Sequence, residues 1–217
     1  MTDSDYTVIA FVIDRSGSMG GLADPPHTKA ARTTEGVHDI VRQQRKEPGR
    51  CEFVLTDFDT DGIGKIPLND GGKILEWSCS PRSGTPLLDA LGTTITGIGK
   101  LLSDMPEDKR PGRVIFVIGT DGEENSSQEY SKEQVGQMIE HQKDAYGWDF
   151  TFIGAGFDAF DEAGGIGIGY GQTLSASPVA MAAAYLTANV SISNARNNNT
   201  SVTYTEEQRT QVDNAGR

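Results

Sequence analysis

Tyr6–Ile13 (YTVIAFVI) runs directly into the turn-forming sequence DRSGSM at Asp14–Met19, and Arg113–Gly119 (RVIFVIG) runs directly into Thr120, Asp121 and Gly122. Both apolar runs are rich in β-branched and aromatic residues and lack polar alternation, the pattern of parallel strands covered on both faces. Each stops at a polar turn that carries an aspartate, Asp14 in one case and Asp121 in the other. Two buried strands with acidic carboxyl ends fix the reading of everything between and around them.

Between them, Ala30, Ala31, Thr34, Val37, Ile40 and Val41 recur at helical spacing up to the breaker pair Pro48 and Gly49, which predicts a crossover helix. Cys51–Thr56 (CEFVLT) reads as a second strand, and DFDTDG supplies an Asp-Gly turn into Ile63–Leu68, an antiparallel edge strand. Thr85 is expected to cap a helix with Pro86 at its first position, followed by Leu87, Leu91, Ile95, Ile98 and Leu102. Beyond Asp121, Ser131 and Gln134 form a capping-box pattern for a helix with Val135, Met138 and Ile139, and Trp148–Ile153 reads as another strand. Gly164–Gly171 reads as a flexible connection, Gln172–Ser175 as a short last strand, and Ser177 with Pro178 as the start of a helix bearing Ala182, Leu186 and Val190.

Alternation of strands and helices predicts a three-layer, doubly wound α/β fold: a mostly parallel six-stranded sheet, one antiparallel edge strand, and helices on both faces. That domain is expected to span residues 1–193. The polar tract 194–200 reads as a linker, and Thr205 with Gln208 as the cap of one further short helix in a mobile or partner-dependent tail, 194–217.

The bulk numbers narrow the function classes. Nineteen Lys and Arg against 31 Asp and Glu leave a formal charge of -12, a field that repels phosphate backbones and anionic lipid, so neither nucleic acid nor membrane is an expected partner. The one basic cluster, Arg42, Arg45, Lys46 and Arg50, falls where a helix should end and complements its dipole. Met1–Asp5 has no basic signal-peptide region and no apolar stretch reaches the ~20 residues of a membrane span, which sets a cytoplasmic expectation with a virion or a secretion route without a signal peptide as the alternatives. Cys51 and Cys79 are too few for a disulfide framework and read as reduced structural thiols.

In doubly wound sheets ligands bind beyond the carboxyl ends of the strands, which is where Asp14 and Asp121 fall. Ser16 and Ser18 follow Asp14 on a turn expected to depend on Gly17, and Thr85 stands at a helix start. Two carboxylates and three hydroxyls, without His or Cys, form a hard oxygen set suited to Mg²⁺, Ca²⁺ or Mn²⁺.

The segments DRSGS, SGTPL and TDGEEN resemble the three parts of the metal-ion-dependent adhesion site of von Willebrand factor A domains. The resemblance extends over residues 6–193 in the order of elements and places Asp14, Ser16, Ser18, Thr85 and Asp121 on the family's metal-site positions. It implies a divalent ion, Mg²⁺ first and Ca²⁺ or Mn²⁺ next, left incompletely neutralised by the hydroxyls and completed by an Asp or Glu side chain of a protein partner. An adhesion or adaptor module, not an enzyme, is the implied function, in a bacterial or phage setting. Met19–His27, Ser80–Ser83 and Glu123–Tyr130 are the loops expected to select the partner.

Other readings compete residue by residue. Singly, the aspartates are strand-end turn residues, the serines a local turn, and Thr85 a helix cap. Asp57, Asp59, Asp61 and Gly62 match the first half of a calcium loop, but position twelve is Leu68 and no flanking helices appear, so a solvated hairpin turn is favoured over an accessory calcium site. Asp57 and Asp59 are also spaced like the acidic pair of haloacid-dehalogenase-type phosphatases, although Asp61 stands where that pattern has Thr. His27, His38 and His141 accompany no nucleophile and read as surface or loop residues. The alternatives are therefore a metal-dependent hydrolase or phosphatase, and a structural subunit of a larger assembly, phage included, with a stabilising metal.

Overall fold

The computed structural model describes residues 1–20, 28–68, 70–155 and 158–216. The central strand is β1 (Asp3–Asp14), whose residues alternate between two apolar layers. Val8, Ala10 and Val12 join one core with Phe116, Ile118, Phe150 and Phe152, while Ile9, Phe11 and Ile13 join the other with Ile115, Val117 and Ile153. Burial on both faces is why the sequence shows an unbroken apolar run, and each such side chain contributes about 1.5–3 kcal/mol on leaving water.

From β1 the chain crosses through α1 (Lys29–Gln44) to β2 (Arg50–Asp59), which pairs parallel to β1 with Asp14 opposite Phe58. A two-residue turn, Thr60 and Asp61, leads into β3 (Gly62–Ile66), antiparallel to β2. The hairpin was legible in the sequence, but its tip lies one residue earlier than the Asp-Gly pair suggested. A short α2 (Gly71–Ile74) and then α3 (Leu87–Ser103) return the chain to β4 (Pro111–Thr120), on the other side of β1. Next come α4 (Lys132–Tyr146), β5 (Asp149–Ala155), α5 (Ala159–Gly165) and β6 (Thr173–Ala176), then α6 (Met181–Asn198) and α7 (Glu206–Ala215). Strand order is β3-β2-β1-β4-β5-β6, so the winding reverses between β1 and β4.

The α3 and α4 helices cover one face through Leu87, Leu91, Ile95, Ile98, Val135 and Ile139. The α1 and α6 helices cover the other, in contact close enough that a Cβ on Gly36 of α1 would collide with the Tyr185 ring of α6. Both predicted capping boxes form, at Ser131 with Gln134 and at Thr205 with Gln208.

Five expectations are corrected. The buried face of α6 is Met181, Ala184, Tyr185, Ala188 and Ile192, whereas Leu186 and Val190 are exposed, because α6 turns its alanines and Tyr185 toward α1, where the absence of a side chain on Gly36 makes room for the tyrosine ring. Residues 194–198 are not a linker but the last turns of α6, held where Arg196 donates to the Gln44 and Pro48 carbonyl oxygens and closed by Asn199 in the left-handed region. The tail beyond is packed: Tyr204 and Val212 are buried in the α1–α6 layer, and Arg209 donates to the carbonyl oxygens of Tyr204 and Tyr170. His38 is not a surface residue; it is buried on α1 with Nε2 2.9 Å from the Trp77 carbonyl oxygen. Gly164 and Gly165, read as part of a flexible connection, close α5.

Candidate functional site

At the carboxyl ends of β1 and β4, where the winding reverses, the chain gathers the oxygens that the sequence singled out. Asp14 is fully buried. One carboxylate oxygen accepts from the Ser16 backbone N–H at 2.6 Å and the other from the Thr120 hydroxyl, also at 2.6 Å. Ser16 Oγ lies 2.9 Å from Ser18 Oγ, which donates to Asp121 Oδ1 at 2.7 Å. Thr85 Oγ1 and Ser18 Oγ both lie close to Gly122: a Cβ built there would stand 3.5 Å and 3.7 Å from them. The structure therefore brings Asp14, Ser16, Ser18 and Asp121 into one hydrogen-bonded chain and sets Thr85 beside it.

Burial pushes the Asp14 carboxyl up to about 6, with the nearby charge of Asp121 adding to the effect and the Thr120 and Ser16 hydrogen bonds opposing it. Both of these donors, the Ser16 N–H and the Thr120 hydroxyl, are neutral. Cys79, whose thiol donates to the Asp14 carbonyl oxygen at 3.5 Å, is pushed up to about 12 by its own burial and by the surrounding carboxylates. The buried side chain packs with Met19, Ala30 and Trp77.

The loops supporting the rim form a hydrogen-bonded frame. Gly17 N–H donates to the Ser83 carbonyl oxygen at 2.9 Å and Arg82 N–H to that of Arg15 at 2.7 Å, joining the first and second motifs. Ser83 takes a positive φ of 34°, whereas Gly17 does not, so the Ser16–Ser18 turn does not require glycine's left-handed freedom as the sequence suggested. Thr85 is likewise not a helix cap. Pro86 occupies that position, and Glu124 from the third motif caps α3 from outside, accepting the Leu88 N–H at 2.9 Å. Asn125 clamps Thr85 by accepting its N–H at 3.0 Å and donating its own to the Thr85 carbonyl oxygen at 3.2 Å.

Of the three loops expected to face a partner, 123–130 is thus tied down at its base, with Asp89 accepting the N–H groups of Gln128, Glu129 and Tyr130. Residues 21–27 of the first loop, including Pro25, Pro26 and His27, lie outside the described residues. Beside the rim a groove of about 540 Å³ opens between the β2–β3 hairpin and this third loop, lined by Thr60, Ile63, Pro86, Asn125 and Glu129. A second cavity, of about 310 Å³ among Leu102, Arg110, His141 and Trp148, lies at the opposite end of the sheet.

Two residues of the rim escaped the sequence reading. Thr120 ties the ends of β1 and β4 together, as the hydroxyl preceding Asp121 in the third motif. Lys29, at the start of α1, forms an ion pair with Asp121. No spacing rule pointed to it, because its partner lies 92 positions along the chain.

The aspartates of the hairpin are arranged differently. Arg15 reaches Asp57 Oδ1 at 3.2 Å and Asp59 Oδ2 at 2.7 Å, Arg82 reaches Asp59 at 3.2 Å, and the Trp77 indole N–H donates to Asp57 at 2.8 Å. Asp61 is exposed. A calcium loop at this turn would have to displace two guanidinium groups.

The rim fits a hard divalent ion on its own chemistry: a wholly buried carboxylate with neutral hydrogen-bond donors, a second carboxylate, and adjoining hydroxyls. Among the described residues no group of three or more His, Cys, Asp or Glu stands together as a metal cluster, so any ion here would rely on the hydroxyls.

No protein-family model matches the sequence, and no curated protein is similar to it in sequence. Solved structures are similar in fold. The von Willebrand factor domain of the type V pili tip protein Mfa5 from Porphyromonas gingivalis matches with a TM-score of 0.65 at 11% identity, covering 92% of this chain and 97% of that one. A von Willebrand factor type A protein from Catenulispora acidiphila matches at 0.57 and 14%, covering 85% of this chain and 42% of that one. Proximal thread matrix protein 1 from the mussel byssus matches at 0.55 and 18%, covering 89% and 44%. The chain thus spans less than half the length of the last two. The fold is that of a von Willebrand factor A domain: a six-stranded, mostly parallel sheet with one antiparallel edge strand and helices around it.

Proposed function

We propose that this chain is a protein-interaction module whose rim, Asp14, Ser16, Ser18, Thr85 and Asp121, holds one divalent ion, Mg²⁺ in the first instance. The observation that carries the reading is Asp14, wholly buried and, among the described residues, hydrogen-bonded to neutral donors alone, at the point where the winding of the sheet reverses. When bound, the ion would supply a positive centre held largely through neutral hydroxyls, with a coordination position that an anionic oxygen from an Asp or Glu of the partner could fill. Ser16 and Ser18 orient their oxygens through each other and Asp121, Thr120 fixes Asp14, and Asn125 fixes Thr85. The groove beside Thr85 provides further contact surface, which a single carboxylate contact needs for specificity.

Binding is proposed over turnover because Asp57 and Asp59, the acidic pair that a phosphatase reading requires, face Arg15, Arg82 and Trp77. A pilus-tip protein and a byssal thread matrix protein share the fold, so an extracellular setting stands beside the cytoplasmic one expected from the sequence. Among the described residues no helix is long and apolar enough to cross a membrane.

The reading is tested by partner capture on the immobilised protein in Mg²⁺ and in EDTA, with Asp14→Ala alongside. Capture that requires Mg²⁺ and is lost in the variant is expected; capture indifferent to both changes contradicts the reading.

A further inference from the structure

Lys29 is the first residue of α1, whose first turn contains no acidic side chain. The amino end of a helix carries partial positive charge, which disfavours an ammonium there. Even so, Lys29 turns inward: its side chain is only 15% exposed, and it pairs with Asp121, whose side chain is wholly buried. Asp121 also accepts from Ser18, and Asp14 stands in the same chain of oxygens. Among the described residues, two carboxylates against one ammonium leave the rim with one uncompensated negative charge. A divalent ion brings it to neutrality only if the ammonium departs; with Lys29 in place the set carries a net positive charge, in a partly buried site where like-charge repulsion is weakly screened.

We propose that Lys29 is a tethered internal cation that holds Asp121 in the metal-free protein and leaves it when a divalent ion binds, so that ion and ammonium compete for one carboxylate. This rests on the reading of the rim as a metal site. A lysine suits the role, since its flexible four-carbon stem carries a compact charge that can move to solvent without moving the backbone. The ammonium also offsets the repulsion between Asp14 and Asp121 that an empty rim would otherwise carry, so the site remains folded while holding ion affinity down.

The test is calorimetric titration of Mg²⁺ and of Mn²⁺ into the full chain, its Lys29→Met and Lys29→Gln variants, and Lys29→Arg, with melting curves in EDTA and in saturating Mg²⁺. Removing the competing charge is expected to tighten ion binding about tenfold or more, with Lys29→Arg remaining near the parent. The neutral variants should melt below the parent in EDTA and draw level with it in Mg²⁺. Measurable ion binding that is unchanged or weaker in both neutral variants overturns the role of Lys29 and leaves the metal reading standing. No ion binding by the parent or by any variant overturns both.

Discussion

Asp14 and Arg15 are neighbours in sequence, yet they belong to two differently balanced sites. Around Arg15, two buried aspartates, Asp57 and Asp59, meet two guanidinium groups and an indole N–H, and the charges cancel within the chain. Around Asp14, among the described residues, two carboxylates meet one ammonium and a set of hydroxyls, and one negative charge is left over. The Arg15 cluster braces the β2–β3 hairpin against the first motif, while the Asp14 rim is built to accept something more. Burial of acidic groups does not by itself distinguish a brace from a binding site; the count of internal cations does.

The largest difference should appear on breaking each region. Arg15→Ala leaves buried Asp57 without a cation among the described residues and Asp59 with Arg82 alone, and is expected to cost about 3–5 kcal/mol, read by urea unfolding, with no recovery on adding Mg²⁺. Asp14→Ala should cost much less in EDTA, since it relieves an uncompensated charge. Equal losses for the two variants would erase the distinction.

Next in size is a dependence on pH. The Asp14 carboxyl is raised to about 6 in the folded chain, so the folded state holds a proton that the unfolded chain has already released. The stability tied to that proton is therefore present below about pH 4 and lost as pH rises through about 6. Measured in EDTA, Asp14→Asn should gain about 2–3 kcal/mol relative to the parent between pH 4 and pH 7. A flat difference across this window would mean that Asp14 is compensated after all. The smallest effect is expected within the brace: Trp77→Phe removes one hydrogen bond to Asp57 and should cost about 1.5–3 kcal/mol while leaving ion binding unchanged.

How much of this was legible in the sequence differed by region for physical reasons. The strands and the α3 face could be read because large apolar residues repeat at the period of the element, as in Val114–Ile118 or Leu87, Leu91 and Ile95. The α6 face was misread because its packing uses Ala184, Ala188 and backbone against Tyr185, and small residues give little hydrophobic signal. The Asn-rich end of α6 looked like a linker since its stability comes from Arg196 reaching back to α1, a contact that no local pattern encodes. Asp14, Ser16, Ser18, Thr85 and Asp121 were found together because strand ends and turn residues announce themselves locally. Lys29, Thr120 and the clamp formed by Glu124 and Asn125 act through partners that only the fold brings near.

The most direct measurement is a crystal grown or soaked with Mn²⁺ and examined for anomalous scattering. A single strong peak is expected at the rim, touching the hydroxyls of Ser16 and Ser18 between Asp14 and Asp121. A peak at Asp57, Asp59 and Asp61 with none at the rim would contradict it.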